Sequence, residues 1–354
     1  MRHIGIVASS APQASAPSIT INSVTNFNQD RATLNATVNP NGATTSVKFQ
    51  ISTNNSTWTD VTTITGLTGN SQSTYHNHTG LSNGTLYYIR AIATNSAGSS
   101  TSSSTSFTTW SLKTYGNATV GTHYQTISTI TPTGGTAVVP SILNLFIAAG
   151  GGGGGGSAAG GGGGVTTLSS RSFNNTNDLI LNIVVGGGGG AGSAGGGSSI
   201  SGASFTTASA SGGNAGGGSY TSSGSSGNGN AAGTGAQYYD PGSGQTPIET
   251  LTRGAGGGGG AGGTGGNGNA NASGAIGGNG GAGVYSSTYG VGAGAGGGGG
   301  AEENSIDSTV ARGAVGSHST YGAGGSGGLY NDNALSVSPA SGGSGVIYFQ
   351  YYGP

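Results

Sequence analysis

The side chains that could do chemistry are few and scattered. Glu302, Glu303 and Asp307 stand in "AEENSIDSTVAR", with His318 further on. Carboxylates with a histidine could serve a hydrolase as acid and base. No apolar framework flanks them to build a pocket, so a solvated polar loop or a single helical turn is expected. His76 and His78 in "YHNHT" share one face of a strand and could meet a metal together. Two ligands without a carboxylate or a symmetry mate make a poor site, so an exposed polar strand face is expected instead. "VVGGGGGAG" formally fits a dinucleotide fingerprint at Gly187, Gly189 and Gly192. The "SAGGGSSISG" that follows cannot start the helix such a site requires. No glycine run ends in Gly-Lys-Ser/Thr, which excludes a phosphate-binding loop of that type. "GGNGNANAS" over 265–273 has the outline of a calcium-binding nonapeptide, yet Ala270 takes the liganding acid's place and the motif does not recur. The expectation is no cofactor, no metal and no enzymatic activity.

The elements that would position any site come in two compositional halves. The chain has 354 residues and 81 glycines, of which 11 precede residue 150 and 70 follow. Charged residues make up 5% and the net charge is −1, so self-repulsion cannot keep the chain extended. Residues 1–149 carry five Lys/Arg and two acids; the remainder carries three Arg and seven acids. Neither is the clustered basic footprint that nucleic acid demands, and no nucleic-acid partner is expected. There is no cysteine, which removes disulfides, thiolate zinc sites and a cysteine nucleophile. "MRHIGIVASSAP" has too short an apolar run for a signal peptide. The most apolar segment, 137–149, is interrupted by Pro140, Ser141 and Asn144 and is too short to span a bilayer. Synthesis in a cytoplasm without a signal peptide, and no membrane insertion, are expected.

From residue 17 to 110, seven short alternating segments recur between turn sequences such as "NPNG", "GLTGN" and "NSAG". That spacing is the pattern of a β-sandwich. In "LYYIRAIATN", Tyr87, Ile89, Ala91 and Ala93 fall on one face, and Tyr88, Arg90, Ile92 and Thr94 on the other. Leu81, Thr85 and Tyr87 resemble the tyrosine corner of fibronectin type III domains. "ATLNATVNPNG" is similar to the second strand and turn of bacterial and phage modules of that family. The tryptophan usual in the second strand is absent. The resemblance implies a spacer or adhesive module.

The rear half, 111–354, contains uninterrupted glycine runs at 150–156, 160–164, 186–190, 256–260 and 296–300. The first two sit in "FIAAGGGGGGGSAAGGGGGV". Two are entered from apolar β-rich segments, "ILNLFIAA" and "LILNIVV", and the chain closes on "GGSGVIYFQYYGP". Such segments must pair or pack with one another. Doing so brings their glycine tracts side by side. Glycine backbones without Cβ can approach closely and, unlike proline, can donate hydrogen bonds to neighbours. The expected fold is therefore all-β: a sandwich over 17–110, then a glycine-rich β domain over 111–354 with polyglycine-II helices. "SAA" at 157–159 is expected to turn one tract back on the next.

The strand-to-glycine entries at 143–156 and 179–190 and the terminal "GGSGVIYFQYYGP" resemble the glycine-rich domains of bacteriophage virion proteins. The nearest architecture is that of fibre-tip adhesins. The resemblance implies a virion surface protein attaching to a host glycan or protein. It also implies a homo-oligomer, a trimer among the candidate states. Host contacts would lie in the inter-tract segments 201–253, 264–295 and 301–341, which hold Tyr220, Tyr238, Tyr239, Tyr285, Tyr289, Tyr321 and Tyr330. Residues 1–16 would anchor to other virion proteins through Met1, Arg2, His3, Ile4, Ile6 and Val7. Alternatives are a capsid-decorating head fibre, a bacterial or archaeal surface filament subunit, and a depolymerase using Glu302 and Glu303.

Overall fold

Alternating apolar residues build the front half. The computed structural model describes residues 13–127, 141–156, 158–172, 179–202, 205–217, 223–228, 230–240, 250–271, 274–303, 309–331 and 334–353. The anchor residues Met1 to Val7 and Tyr220 lie outside the described residues. Every regular element among those described is a strand. The first eight are β1 (Ser18–Ile21), β2 (Arg31–Asn39), β3 (Thr45–Ser52), β4 (Thr59–Leu67), β5 (Gln72–Thr79), β6 (Leu86–Asn95), β7 (Gly98–Thr101) and β8 (Thr105–Thr108). One sheet has the order β1-β2-β5; the other has β4-β3-β6, with β7 and β8 both paired to β6. The two sheets enclose Leu34, Ala36, Val38, Val47, Phe49, Ile89, Ala91 and Ala93, all fully buried. The last expected strand is two strands, because Ser102 interrupts it. Its Oγ accepts from Ala91 N at 3.0 Å while its own N donates to Ala91 O at 2.9 Å. A serine side chain there competes with the regular ladder.

The histidine pair does not sit on an exposed face. His76 and His78 are opposite Leu34 and Ala32, two core residues, so they take the inward-facing register of β5 and are half-buried. Strand β5 is a sheet edge, where a ring can turn inward and still reach water. Burial, and secondarily His76, hold the His78 imidazole below its ordinary value of 6.5. The folded state thus resists a proton that the unfolded chain accepts. Stability from this site is present above that value and is lost as the pH falls through it. The melting temperature of the sandwich should drop between pH 7 and pH 5, and His78→Gln should flatten the pH profile.

The rear half contains β9 (Ser111–Asn117), β10 (Gly121–Ile127), β11 (Ser141–Ala148), β12 (Val165–Ser172), β13 (Leu179–Val185), β14 (Ser198–Gly202), β15 (Phe205–Ala210), β16 (Ala236–Asp240), β17 (Thr250–Gly254), β18 (Asn269–Asn271), β19 (Gly274–Ile276), β20 (Val284–Ser286), β21 (Val291–Ala293), β22 (Ala301–Glu303), β23 (Thr309–Ala311), β24 (Leu329–Asn331), β25 (Ala334–Val337) and β26 (Val346–Gly353). Sheets β12-β11-β26-β9 and β10-β13-β14-β15 share one core, in which Leu145, Ile147, Ile347 and Phe349 meet Leu181, Ile183, Val185 and Ile200. The opposite face of β11 and β26, carrying Phe146, Ala148 and Val346, packs on the β20–β21 hairpin. Strand β11 is therefore covered on both faces. This is why "LFIAA" reads as continuous apolar sequence rather than alternation. Of the three apolar segments, β11 and β26 pair directly, whereas β13 belongs to the facing sheet.

Further sheets, β16-β17-β22-β24-β25 and β18-β19-β23, are joined to this base by glycine segments. Residues 277–283 lead from β19 to β20, 294–300 from β21 to β22, and 338–345 from β25 to β26. These segments hydrogen-bond with a period of three. Gly150 and Gly153 donate to Gly196 and Ser193; Gly151 and Gly154 donate to Gly343 and Ala340; Gly152 and Gly155 donate to Gly161 and Ala158, all at 2.8–3.0 Å. In the other three directions their carbonyls accept from the segments holding Gly213 and Gly216, Gly189 and Gly192, and Gly325. Each inner tract is thus bonded to neighbours all around it, without leaving the chain. Residues 150–155, 160–164, 254–260 and 292–300 are buried, while Gly188 and Gly190 of the 186–190 run are exposed. Residues Ala158 and Gly155 bond to each other and Gly152 bonds to Gly161, so the first two tracts run antiparallel around position 157.

The inter-tract segments take part in the same array: 211–217, 223–228, 277–283, 313–316 and 322–328 supply neighbours to the long runs. Their glycines are spaced by Ser, Ala and Asn, and this hid the pattern. Ala301–Glu303 and Thr309–Ala311 are strands where a helical turn or polar loop was expected, while Asp307 lies outside the described residues. Ala301–Glu303 is β22, in the middle of a five-stranded sheet.

Candidate functional site

The β20–β21 hairpin borders a recess that holds two of the predicted tyrosines, Tyr285 and Tyr289. Its turn closes with Gly290 N donating to Ser286 O at 2.9 Å, and Gly290 takes a φ of +68° that suits glycine. This turn throws Tyr289 across onto β11. The Tyr289 hydroxyl donates to Asn144 O at 2.8 Å. Its ring stacks on Tyr348 with centroids 5.2 Å apart and approaches Phe146 at 6.5 Å. Burial pushes its phenol up to about 12, so it remains a donor across the physiological range. Tyr348 is likewise raised, first by its hydrogen bond with Tyr321 and then by burial. The Tyr348 ring lies over Gly116 of β9, where any Cβ would collide with it.

Between this staple and the β11–β12 pair lies a groove of about 320 Å³, lined by Asn144–Phe146, Thr167–Ser169 and Tyr285–Tyr289. Tyr285 stands at its rim, 53% exposed, with the His318 ring at 5.3 Å. His318 is held at φ +60°, an unusual conformation for a non-glycine residue, and packs where a Cβ on Gly292 would stand. None of the lining residues carries a charge. Beyond the groove, Asn144 Nδ2 donates to Gln350 Oε1 at 3.2 Å and Gln350 Nε2 donates to Thr114 Oγ1 at 3.3 Å, a polar row across three strands. Tyr289→Phe should lose about 1 kcal/mol by removing one partly buried hydrogen bond. Tyr289→Ala should cost several times more, which urea denaturation of the two variants would measure.

The structure divides the predicted tyrosines. Tyr289 and Tyr321 pack in the cluster around Tyr348, and Tyr285 lies on β20 beside His318. Tyr238 and Tyr239 lie on β16, opposite Thr252 and Leu251, and Tyr330 lies on β24 opposite Glu302. These last three belong to the sheet at the far end of the glycine segments. Glu302 is buried beside Arg253 (Nη1 to Oε2, 3.3 Å), and burial raises its carboxyl above the ordinary value. It pairs as a structural ion rather than facing a cleft. Among the described residues no three His, Asp or Glu side chains gather to hold a metal. The sequence reading missed Tyr348, Asn144 and the Ser286–Thr288 hydroxyls, and it grouped His318 with the acids of 301–312, whereas the ring packs beside Tyr285. The spacing of two tyrosines around Ser-Ser-Thr before Gly290 was the available signal.

No protein-family model matches the chain, and no curated protein matches it. Among solved structures, the sensor domain of the anti-sigma factor RsgI4 from Pseudobacteroides cellulosolvens is similar to it at 18% identity, with a TM-score of 0.23. That similarity covers 27% of this chain and 92% of the other. A likeness at that level assigns neither fold nor function.

Proposed function

We propose that this is a bacteriophage virion surface protein, a fibre or adhesin, that presents a rigid glycine-rich domain for host attachment. The observation that carries the reading is the period-three hydrogen bonding of buried glycine tracts between two sets of sheets. On this reading the tracts are polyglycine-II helices, rising about 3.1 Å per residue. Seven residues then span roughly 20 Å and hold the far sheet away from the base. The front half is a fibronectin type III spacer. Its strand orders β1-β2-β5 and β4-β3-β6 support this, as does the Tyr87 hydroxyl, which accepts from Ser82 N at 3.0 Å in the manner of a tyrosine corner. Weak contacts multiplied by copy number would supply adhesion. Other virion proteins are the partners of residues 1–16, and the assembly is a homo-oligomer.

Gold-labelled antibody against residues 17–110 should decorate purified particles at fibres, and the purified protein should compete with particle adsorption. Label on the capsid would favour a head fibre. Unlabelled particles, or self-polymerisation of the purified protein into filaments on a cell surface, would overturn the proposal.

A further inference from the structure

We infer that the groove beneath the Tyr285–Tyr289 turn binds a neutral oligosaccharide without cleaving it. The inference rests on the reading of the protein as a surface adhesin and gives that reading a ligand class and a location. The location is unexpected, since the groove is at the base of the glycine segments and not on the far sheet.

Three features select the ligand. The first is polar chemistry. Ser287, Thr288, Thr167 and Ser169 offer hydroxyls that both donate and accept, which matches the two-way hydrogen bonding of sugar hydroxyls. The second is an aromatic platform. Tyr285 is more than half exposed at the rim, and His318 packs beside it. A tyrosine ring supplies rigid contact area with only two side-chain torsions to fix, and the C–H face of a pyranose can stack on it. The third is the lack of charge in the lining. A carboxylate or sulfate entering there would lose water without gaining a counter-ion, which is costly. The volume, about 320 Å³, lies at the small end of ligand pockets. It suits a short run of sugar units.

The site is prepared in advance. The Tyr289 bond to Asn144 O and the Gly290 turn fix the hairpin against β11, so little ordering remains for binding to accomplish. Among the described residues, the lining supplies no acid for cleavage. Glycoside hydrolysis ordinarily requires two carboxyl groups about 5–9.5 Å apart flanking the bond, and none lines the groove.

The test is titration calorimetry of the full chain with maltohexaose, cellohexaose, mannohexaose and N-acetylchitohexaose, and with a heparin hexasaccharide as the anionic comparison. At least one neutral sugar should bind one site with a dissociation constant of about 1 mM or tighter. Tyr285→Ala should weaken it at least tenfold, and Ser287→Trp should abolish it by filling the groove. Both variants should keep the parent melting temperature, because both positions are exposed. Failure of every neutral sugar to bind, binding of the heparin fragment alone, or binding that survives both substitutions would overturn the inference. Sugar binding by a protein that antibody does not find on particles would overturn the virion reading alone. Labelled particles with no sugar binding would overturn only this inference.

Discussion

Gly153→Ala is expected to abolish the folded glycine domain, while Gly190→Ala should pass almost unnoticed. Both residues lie in uninterrupted glycine runs, and sequence gives no reason to separate them. The difference is steric. A methyl on Gly153 would land on the carbonyl oxygen of Gly190, with the Gly189 carbonyl next to it, and both are backbone atoms in the bonded array. Neither can yield without breaking its neighbours' bonds. The cost belongs to the exceptional class above about 4 kcal/mol. A methyl on Gly190 meets nothing within 4 Å, and that residue is exposed. Its substitution should stay within about 0.5 kcal/mol of the parent. Guanidinium unfolding followed by tyrosine fluorescence would compare the two directly. Equal effects would show that the glycines are not selected by close approach.

Phe349→Ala should cost about 3–5 kcal/mol, the range for a fully buried phenylalanine. Phe349 is fully buried on β26, stacked on Tyr115 at 4.8 Å and packed among Leu145, Ile147 and Ile183. Strand β26 lies between β11 and β9, so the cavity would open in the middle of the base. The damage should also reach the glycine tracts. Strand β11 leads directly into Gly150, and Gly345 just before β26 donates to Gly186 O at 2.8 Å. Amide exchange across 150–164 should accelerate in this variant. Phe49→Ala, an equally buried change in the front core, should destabilise the sandwich by a similar amount and leave tract exchange unaltered. The two cores are separate clusters, with no member in common. If Phe49→Ala also loosened the tracts, the halves would be coupled more tightly than their cores indicate.

Much of the front half was legible because a half-buried strand writes its burial into alternation. Ile89, Ala91 and Ala93 are inside as their spacing implies. The histidines misled for a related reason. Polarity suggested solvent, but an edge strand lets His76 and His78 face inward while their rings stay partly wet. In the rear half, the apolar entries into glycine correctly marked tracts that are structure rather than linker. The partners of those tracts were illegible. A hydrogen-bonded neighbour such as Ser193, Ala340 or Asn214 uses only its backbone, so its identity leaves no trace in a glycine count. The candidate groove was half visible. Tyr285 and Tyr289 stood out by type, whereas Asn144 and Thr167 reach it only through the fold, more than a hundred residues away.

Hydrogen bonds to their neighbours order the buried glycine tracts. Amide hydrogen exchange of residues 150–155 and 160–164 in the intact protein tests this ordering most directly. Each of these amides, Gly150 to Gly155 and Gly160 to Gly164, donates to a backbone carbonyl at 2.7–3.0 Å. Protection should therefore approach that of the core strands, on the order of a thousandfold or more over a free chain. Gly190, exposed at the edge, should exchange sooner. Complete exchange of 150–164 within seconds would contradict the account.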